Sequence, residues 1–247
     1  MFQKLSLCLM IIIASLKGYD MGCSMTEEQL DQSFYDSMFF GSKDAIVPAD
    51  EAEMDKHCSH TKGGVDGVKQ YSDTCLNGFP QKVMSMLYTN MGHHMDNRCD
   101  KPSERAEFLE NIKCFLPKEK MDPLHVCFDK FTKYTEITAG MSKDDPFLPF
   151  MCCGFQEYKH CVLTNTEKIC TVGHSQFWDE IFDEISMEAI TYACSSYDSY
   201  DNCNKNLFPE GLKQIKTISE ATDPAVWHHG FKTPVKFLLD MIKKFYN

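Results

Sequence analysis

Apolar residues recur at helical spacing along most of this chain. The most regular stripe is Phe177, Trp178, Ile181, Phe182, Ile185, Ala189 and Tyr192, with Asp179, Glu180, Asp183, Glu184 and Glu188 off it. It predicts a helix over about 175–192. Near the start, Thr26 and Gln29 have capping-box spacing, and Met25 and Leu30 take the two staple positions. Leu30, Phe34 and Met38 continue that face, and Gly41 can end it in a left-handed turn. The acidic stretch Ser42 to Asp55, with Pro48, reads as a surface connection.

From Cys58 to Cys75, Val65, Val68, Ser72 and Cys75 keep helical spacing. Gly63, Gly64 and Gly67 weaken helix, so one is expected to start late there. Pro80 lies near the start of the next helix, whose face is Val83, Leu87, Met91 and Met95. Pro102 opens another, with Phe108, Leu109, Ile112 and Phe115 as its stripe. Asp122 and Pro123 are N-cap and N1 residues for a helix burying Leu124, Cys127, Phe128 and Phe131. In the last helix Thr233 caps, Pro234 follows, and Val235, Leu238, Leu239, Ile242 and Phe245 share one face. Lys236, Lys243 and Lys244 lie off it, which suits a closing helix better than a membrane-surface one. Alternating strand patterns are scarce.

The expected fold is therefore all-α, a disulfide-stapled bundle of about seven to nine helices. Gly140 to Pro149 is the best internal break. It reads as a loop between possible halves, 19–139 and 150–247, of one domain spanning 19–247.

Residues 1–18 have the form of a signal peptide: basic Lys4, an apolar run from Leu5 to Leu16, then Gly18. No later segment is apolar enough to span a bilayer. A secreted, extracellular protein follows as the expectation. Its removal also drops Cys8 from thirteen cysteines and leaves an even set of twelve: Cys23, Cys58, Cys75, Cys99, Cys114, Cys127, Cys152, Cys153, Cys161, Cys170, Cys194 and Cys203. In an exported chain these read as a disulfide framework of up to six bridges.

Pairing is open, with constraints. A continuous 175–192 helix would be roughly 27 Å long at 1.5 Å per residue, so Cys170 and Cys194 cannot join. Adjacent Cys152 and Cys153 are expected to take different partners. Cys114 and Cys127 flank the Pro117–Pro123 turn and are expected to pair across a helical hairpin. The spacing Cys75-x23-Cys99 recurs as Cys170-x23-Cys194, but the side chains between do not match, and the recurrence is taken as chance.

Charge narrows the partners. Losing Lys4 and Lys17 takes the formal net charge from −11 to −13, which argues against nucleic acid and anionic membranes. Motifs narrow the chemistry. Cys152-Cys153 and His160-Cys161 come near the secreted phospholipase A2 helix, but Gln156 and Lys159 stand where its histidine and final cysteine belong. The glycine-rich calcium loop is also missing. Neither a nucleophile elbow, a phosphate loop nor a dinucleotide fingerprint is found.

Histidines cluster at His57/His60, His93-His94 and His228-His229, none with the HExxH spacing of zinc hydrolases. His57, Cys58 and His60 could feed a zinc site, but an oxidising compartment favours a bridged Cys58. No metal, cofactor or catalytic residue is expected. The acidic pairs on the 175–192 helix read as its solvated face, and the fifteen methionines as core filler. There is no Asn-x-Ser/Thr sequon.

The cysteine-spaced amphipathic helices, Cys114-x12-Cys127 and the stretch FMCCGFQEYKHC…FWDEI…AC together resemble the arthropod 27 kDa haemolymph glycoprotein-like proteins, over about Cys58 to Cys203. That resemblance implies a secreted, disulfide-rich helical protein of a body fluid or secretion, without known enzymatic chemistry. The leading expectation is a non-enzymatic carrier of a small apolar ligand, or an interaction protein with an extracellular protein partner. A structural secretion component of silk, egg, venom or saliva acting by self-association is the alternative. A hydrolase with an unrecognised site is the second.

Overall fold

The computed structural model describes residues 23–246, with the side chains of 186–192, 245 and 246 left aside. The segment 1–18, expected to be a signal peptide, lies outside the described residues, as do the side chains of Ala189, Tyr192 and Phe245. The first long pairing follows from glycine. Helix α1 (Glu27–Ser37) carries the capping box on Thr26 and Gln29 and buries Leu30 and Phe34. It packs antiparallel on α2 (Glu51–Cys75). A Cβ at Gly64 would lie 2.6 Å from the Ser37 nitrogen and 2.7 Å from the Ser33 carbonyl oxygen, so the two backbones meet where no side chain fits.

This corrects the expectation of a late-starting helix. Asp50 caps α2 by accepting from the Glu53 amide at 2.9 Å, and the helix runs through all three glycines. The close contact with α1 at Gly64 and Gly67 offsets the poor propensity of the stretch. Two neighbouring expectations also change. α1 ends at Ser37 with Met38 extended, and Gly41 instead packs against the Phe128 ring. The 42–55 stretch is no surface connection, since Ser42, Ala45 and Val47 are buried and α2 already covers its end.

Helix α3 (Gly78–Asp100) folds back along α2 after a turn with Gly78 at φ 60. Its buried face is Met84, Met91, His94 and Arg98, rotated from the expected stripe, and Val83, Leu87 and Met95 are half-buried. α4 (Pro102–Ile112) buries Phe108, Leu109 and Ile112 as its spacing predicts. Two 3₁₀ turns, Lys113–Phe115 and Lys118–Met121, then lead straight into α5 (Asp122–Gly140). Met121, already helical, takes the cap position expected of Asp122.

α6 (Phe147–Ile169) packs along α5, and α7 (Val172–Ala193) along α6. Short α8 (Tyr200–Asn206) and α9 (Pro209–Glu220) follow, and α10 (Val235–Tyr246) closes the chain against α1, α3 and α5. Ten α-helices are thus described, against seven to nine expected, and no strand among the described residues. None is long and apolar enough to cross a membrane.

All twelve cysteines among the described residues are bridged: Cys23–Cys75, Cys58–Cys99, Cys114–Cys170, Cys127–Cys161, Cys152–Cys194 and Cys153–Cys203. Cys152 and Cys153 do part ways. The Cys114–Cys127 pairing is wrong, because the 3₁₀ turns displace α5 onto α6 rather than back along α4.

The bridges also overturn the view that the repeated x23 spacing is chance. In the first half, a cysteine before α1 joins the end of α2 (Cys23–Cys75), and the start of α2 joins the end of α3 (Cys58–Cys99). In the second, a cysteine before α5 joins the end of α6 (Cys114–Cys170), and the start of α6 joins the end of α7 (Cys152–Cys194). The same three-helix, two-bridge unit occurs twice, and its third helices, α3 and α7, touch.

The two units share their interior. One core joins Phe40, Met54, Phe108, Phe115, Phe128, Phe150, Trp178 and Trp227; a second joins Leu30, Val68, Met84 and Met91 to Val235 and Leu239 of α10. Met54, Met84, Met91 and Met121 serve as core filler. The lysines of α10 are engaged with the fold: Lys236 reaches Glu27 at 3.0 Å, and Lys244 donates to the Ala139 carbonyl at the end of α5 at 3.1 Å.

Candidate functional site

Three places gather chemistry-bearing side chains. The first is the interior around His57. Its ring stacks on Phe108 at 5.6 Å and meets Phe39 edge-on at 5.8 Å. Phe39 in turn stacks on Trp178 at 5.3 Å. Burial pushes the His57 imidazole down to about 4, against a smaller opposing effect of a hydrogen bond to the Ile46 backbone. It is a neutral core ring at physiological pH. Its neighbour Cys58 is bonded to Cys99 and is no thiolate ligand.

The second is the α3–α7 contact. Arg98 is buried beneath the rings of Phe108 and Phe177, with its guanidinium 5.9 and 5.6 Å from their centres. It hydrogen-bonds His94, and Glu184 meets both, 3.0 Å from His94 Nδ1 and 3.6 Å from Arg98. Burial, with the Arg98 charge beside it, drives His94 down to about 3. A buried cation with a carboxylate partner ties the two units together. The acids of α7 are therefore more than a solvated face: Asp179 and Asp183 also each hold Lys159 of α6 at 2.6 Å.

The third is a cleft of about 690 Å³ between α1, α5 and the segment joining α9 to α10. Two helices pin that segment. Asp31 of α1, itself buried, accepts from the amides of Lys232 (2.7 Å) and Thr233 (2.9 Å) and from the Thr233 hydroxyl (2.6 Å). Lys130 of α5 donates to the Ser219 and Ala221 carbonyls at 2.6 and 3.1 Å, its ammonium 4.8 Å from the centre of the Trp227 ring. Lys133 donates to the His228 carbonyl at 3.3 Å.

Asp129 of α5 faces into this cleft with 23% of its side chain exposed. Lys43 lies 3.4 Å from one carboxylate oxygen, and His229 Nε2 3.8 Å from the other. Burial opposes the charge of Asp129, but His229 and Lys43 favour it, and its carboxyl titrates below the usual value. Trp227, Phe231 and Pro224 supply apolar wall.

No family model, curated protein or solved structure matches this chain.

The cleft volume falls in the range of small-molecule sites, about 300–1,000 Å³. Of the residues the sequence singles out, only His228 and His229 reach it. The cysteines hold the frame around it, and none lines it. Asp31, Lys43 and Asp129 were not legible beforehand, because each is an isolated charge beside an apolar stripe and looks like any solvated position. Among the described residues, no three His, Cys, Asp or Glu side chains converge as a metal site.

Proposed function

We propose that this chain is a secreted, non-enzymatic binding protein that carries a small ligand in the cleft between α1, α5 and the 223–232 segment. The observation that carries this reading is the construction of that cleft. A mobile surface loop would not need a buried carboxylate, Asp31, with three donors to hold its wall in place. The six bridges suit an oxidising, extracellular setting. The signal-like N-terminus and the resemblance to the 27 kDa haemolymph glycoprotein-like proteins agree with that setting.

The ligand fits best as an amphipathic molecule rather than a wholly apolar one. Its body would lie against Trp227, Phe231 and Pro224 and its polar end near Asp129 and Lys43. Native and denatured mass spectra of protein purified from its own source test the reading. A native mass exceeding the denatured mass by one discrete small molecule supports a carrier and identifies its cargo. A bare monomer overturns it, and a defined multimer favours self-association instead.

A further inference from the structure

We infer that the cleft takes an uncharged small molecule with an apolar body and a carbonyl-type oxygen, the oxygen accepting from the indole N–H of Trp227, an assignment that rests on the binding role of the cleft. The charges that line the cleft are already balanced by the protein. Lys43 lies 3.4 Å from one oxygen of Asp129 and His229 3.8 Å from the other, and both favour its carboxylate. Asp31 is engaged by its three donors. Lys232 donates to Gln32 Oε1 at 2.7 Å, its ammonium 4.8 Å from the centre of the Tyr35 ring. Glu28, exposed at the rim, is hydrogen-bonded to the Thr26 side chain. A charged ligand head of either sign would have to break one of these pairings to gain its own.

One enclosed polar group among the described residues of the lining is left over. Trp227 is 7% exposed, yet its Nε1 makes no hydrogen bond to any described residue. The other indole, Trp178, has its Nε1 sealed from solvent without a partner. Trp227 Nε1 is not sealed, so its N–H opens onto the cleft. An indole nitrogen only donates. Whatever lies beside it must therefore bring an acceptor, because an enclosed donor left without one is costly. The ammonium of Lys130, 4.8 Å from the centre of the same ring, draws on its π electrons and makes the N–H a stronger donor. It also takes the ring face that a cationic ligand would use. A carbonyl oxygen meets the N–H and sits beside the Lys43–Asp129 pair without disturbing its charge balance. Phe231 and Pro224 supply apolar wall for the rest of the molecule.

Titration calorimetry on the purified, disulfide-intact protein tests this with four probes of similar size: benzylacetone, butylbenzene, phenylpropylamine and phenylpropanoate. Benzylacetone, the ketone, is expected to bind one to one, and each other probe about tenfold more weakly, a difference of about 1.4 kcal/mol. In proton–nitrogen NMR spectra the Trp227 indole proton should move downfield with benzylacetone and stay in place with butylbenzene. Trp227→Phe keeps a ring but removes the donor, and should erase the preference for the ketone over the hydrocarbon. Should that variant fail to fold, the indole proton of the unaltered protein decides. Butylbenzene binding as tightly as the ketone, tighter binding of the amine or the carboxylate, an unmoved indole proton, or a ketone preference that survives in a folded Trp227→Phe each overturns the assignment and leaves a carrier of another ligand class standing. Binding by none of the four probes also overturns it, whereas the carrier reading itself falls only if the protein from its source carries no cargo.

Discussion

Cys75 and Cys170 hold the same place in two copies of one motif. Each ends the first helix of a long antiparallel hairpin, and each is bonded to a cysteine upstream of the preceding helix. The second bridge of each unit, Cys58–Cys99 or Cys152–Cys194, ties the start of that helix to the end of the next. The recurrence of the x23 spacing is the sequence trace of this geometry, since hairpins of matching length put their terminal cysteines at matching separations.

Equivalent bridges should contribute equally. Cys58–Cys99 and Cys152–Cys194 close loops of 41 and 42 residues. The chain-entropy model gives each about 4 kcal/mol. Cys58→Ala/Cys99→Ala and Cys152→Ala/Cys194→Ala are expected to lose similar amounts in urea unfolding. A difference above about 2 kcal/mol would show that strain or residual unfolded-state structure dominates over loop length.

Adjacent glycines in α2 should respond with opposite signs. Gly64 faces the α1 backbone, with Ser37 N 2.6 Å from a would-be Cβ, whereas Gly63 has nothing within 4 Å. Gly63→Ala should stabilise by about 0.5–1 kcal/mol through helix propensity. Gly64→Ala forces two helices apart and should cost about 1–3 kcal/mol, the range for overpacked contacts. Equilibrium unfolding of the two variants decides it, and a stabilising Gly64→Ala would contradict the close α1–α2 approach.

How much of this could be read from sequence depends on range. Local signals carried the capping box at Thr26–Gln29, the Pro102 start of α4 and the stripe of Phe108, Leu109 and Ile112. Signals requiring a partner did not. Gly64 and Gly67 read as helix-weakening because their reward, contact with α1, lies elsewhere in the chain, while Gly63 has no such partner. The partner of Cys114 depended on two 3₁₀ turns that no periodicity announces. The cleft is the extreme case: Asp31, Lys43 and Asp129 belong to three separate elements, and only the returning 223–232 segment makes them one wall.

Acid should weaken the fold over a definable range. His57 is 3% exposed, and burial lowers its pKa from 6.5 to about 4. The unfolded chain takes up this proton as pH falls through 6.5, but the folded chain does so only near 4. Stability is therefore lost progressively between those values and levels off below. His94, lowered to about 3, acts in the same direction. Each unit of separation is worth about 1.4 kcal/mol, so His57 alone accounts for roughly 3 kcal/mol. Urea midpoints measured from about pH 7 to about pH 4 should decline, and His57→Phe should flatten the decline. An identical slope in the variant would remove His57 from the explanation.

Asp31 should govern the closing segment without governing the bundle. Its carboxylate is 5% exposed and is the acceptor for Lys232 N, Thr233 N and Thr233 Oγ1. The Thr233 hydroxyl oxygen also accepts from the Val235 amide at 3.3 Å, so one carboxylate sets both the cleft wall and the first turn of α10. Asp31→Asn keeps the shape but replaces one oxygen with a donor, and either oxygen so replaced faces a backbone N–H, of Lys232 or Thr233, that can only donate. A buried donor left without an acceptor costs about 1–3 kcal/mol, and that cost falls on residues 223–240 rather than on the cysteine-bound hairpins. Hydrogen exchange should therefore quicken at Lys232, Thr233 and the first turn of α10, while α6 and α7 keep their protection. Uniform acceleration across the chain would instead mean that the segment has no independent opening. Unchanged exchange at Thr233 would mean that Asp31 does not hold it.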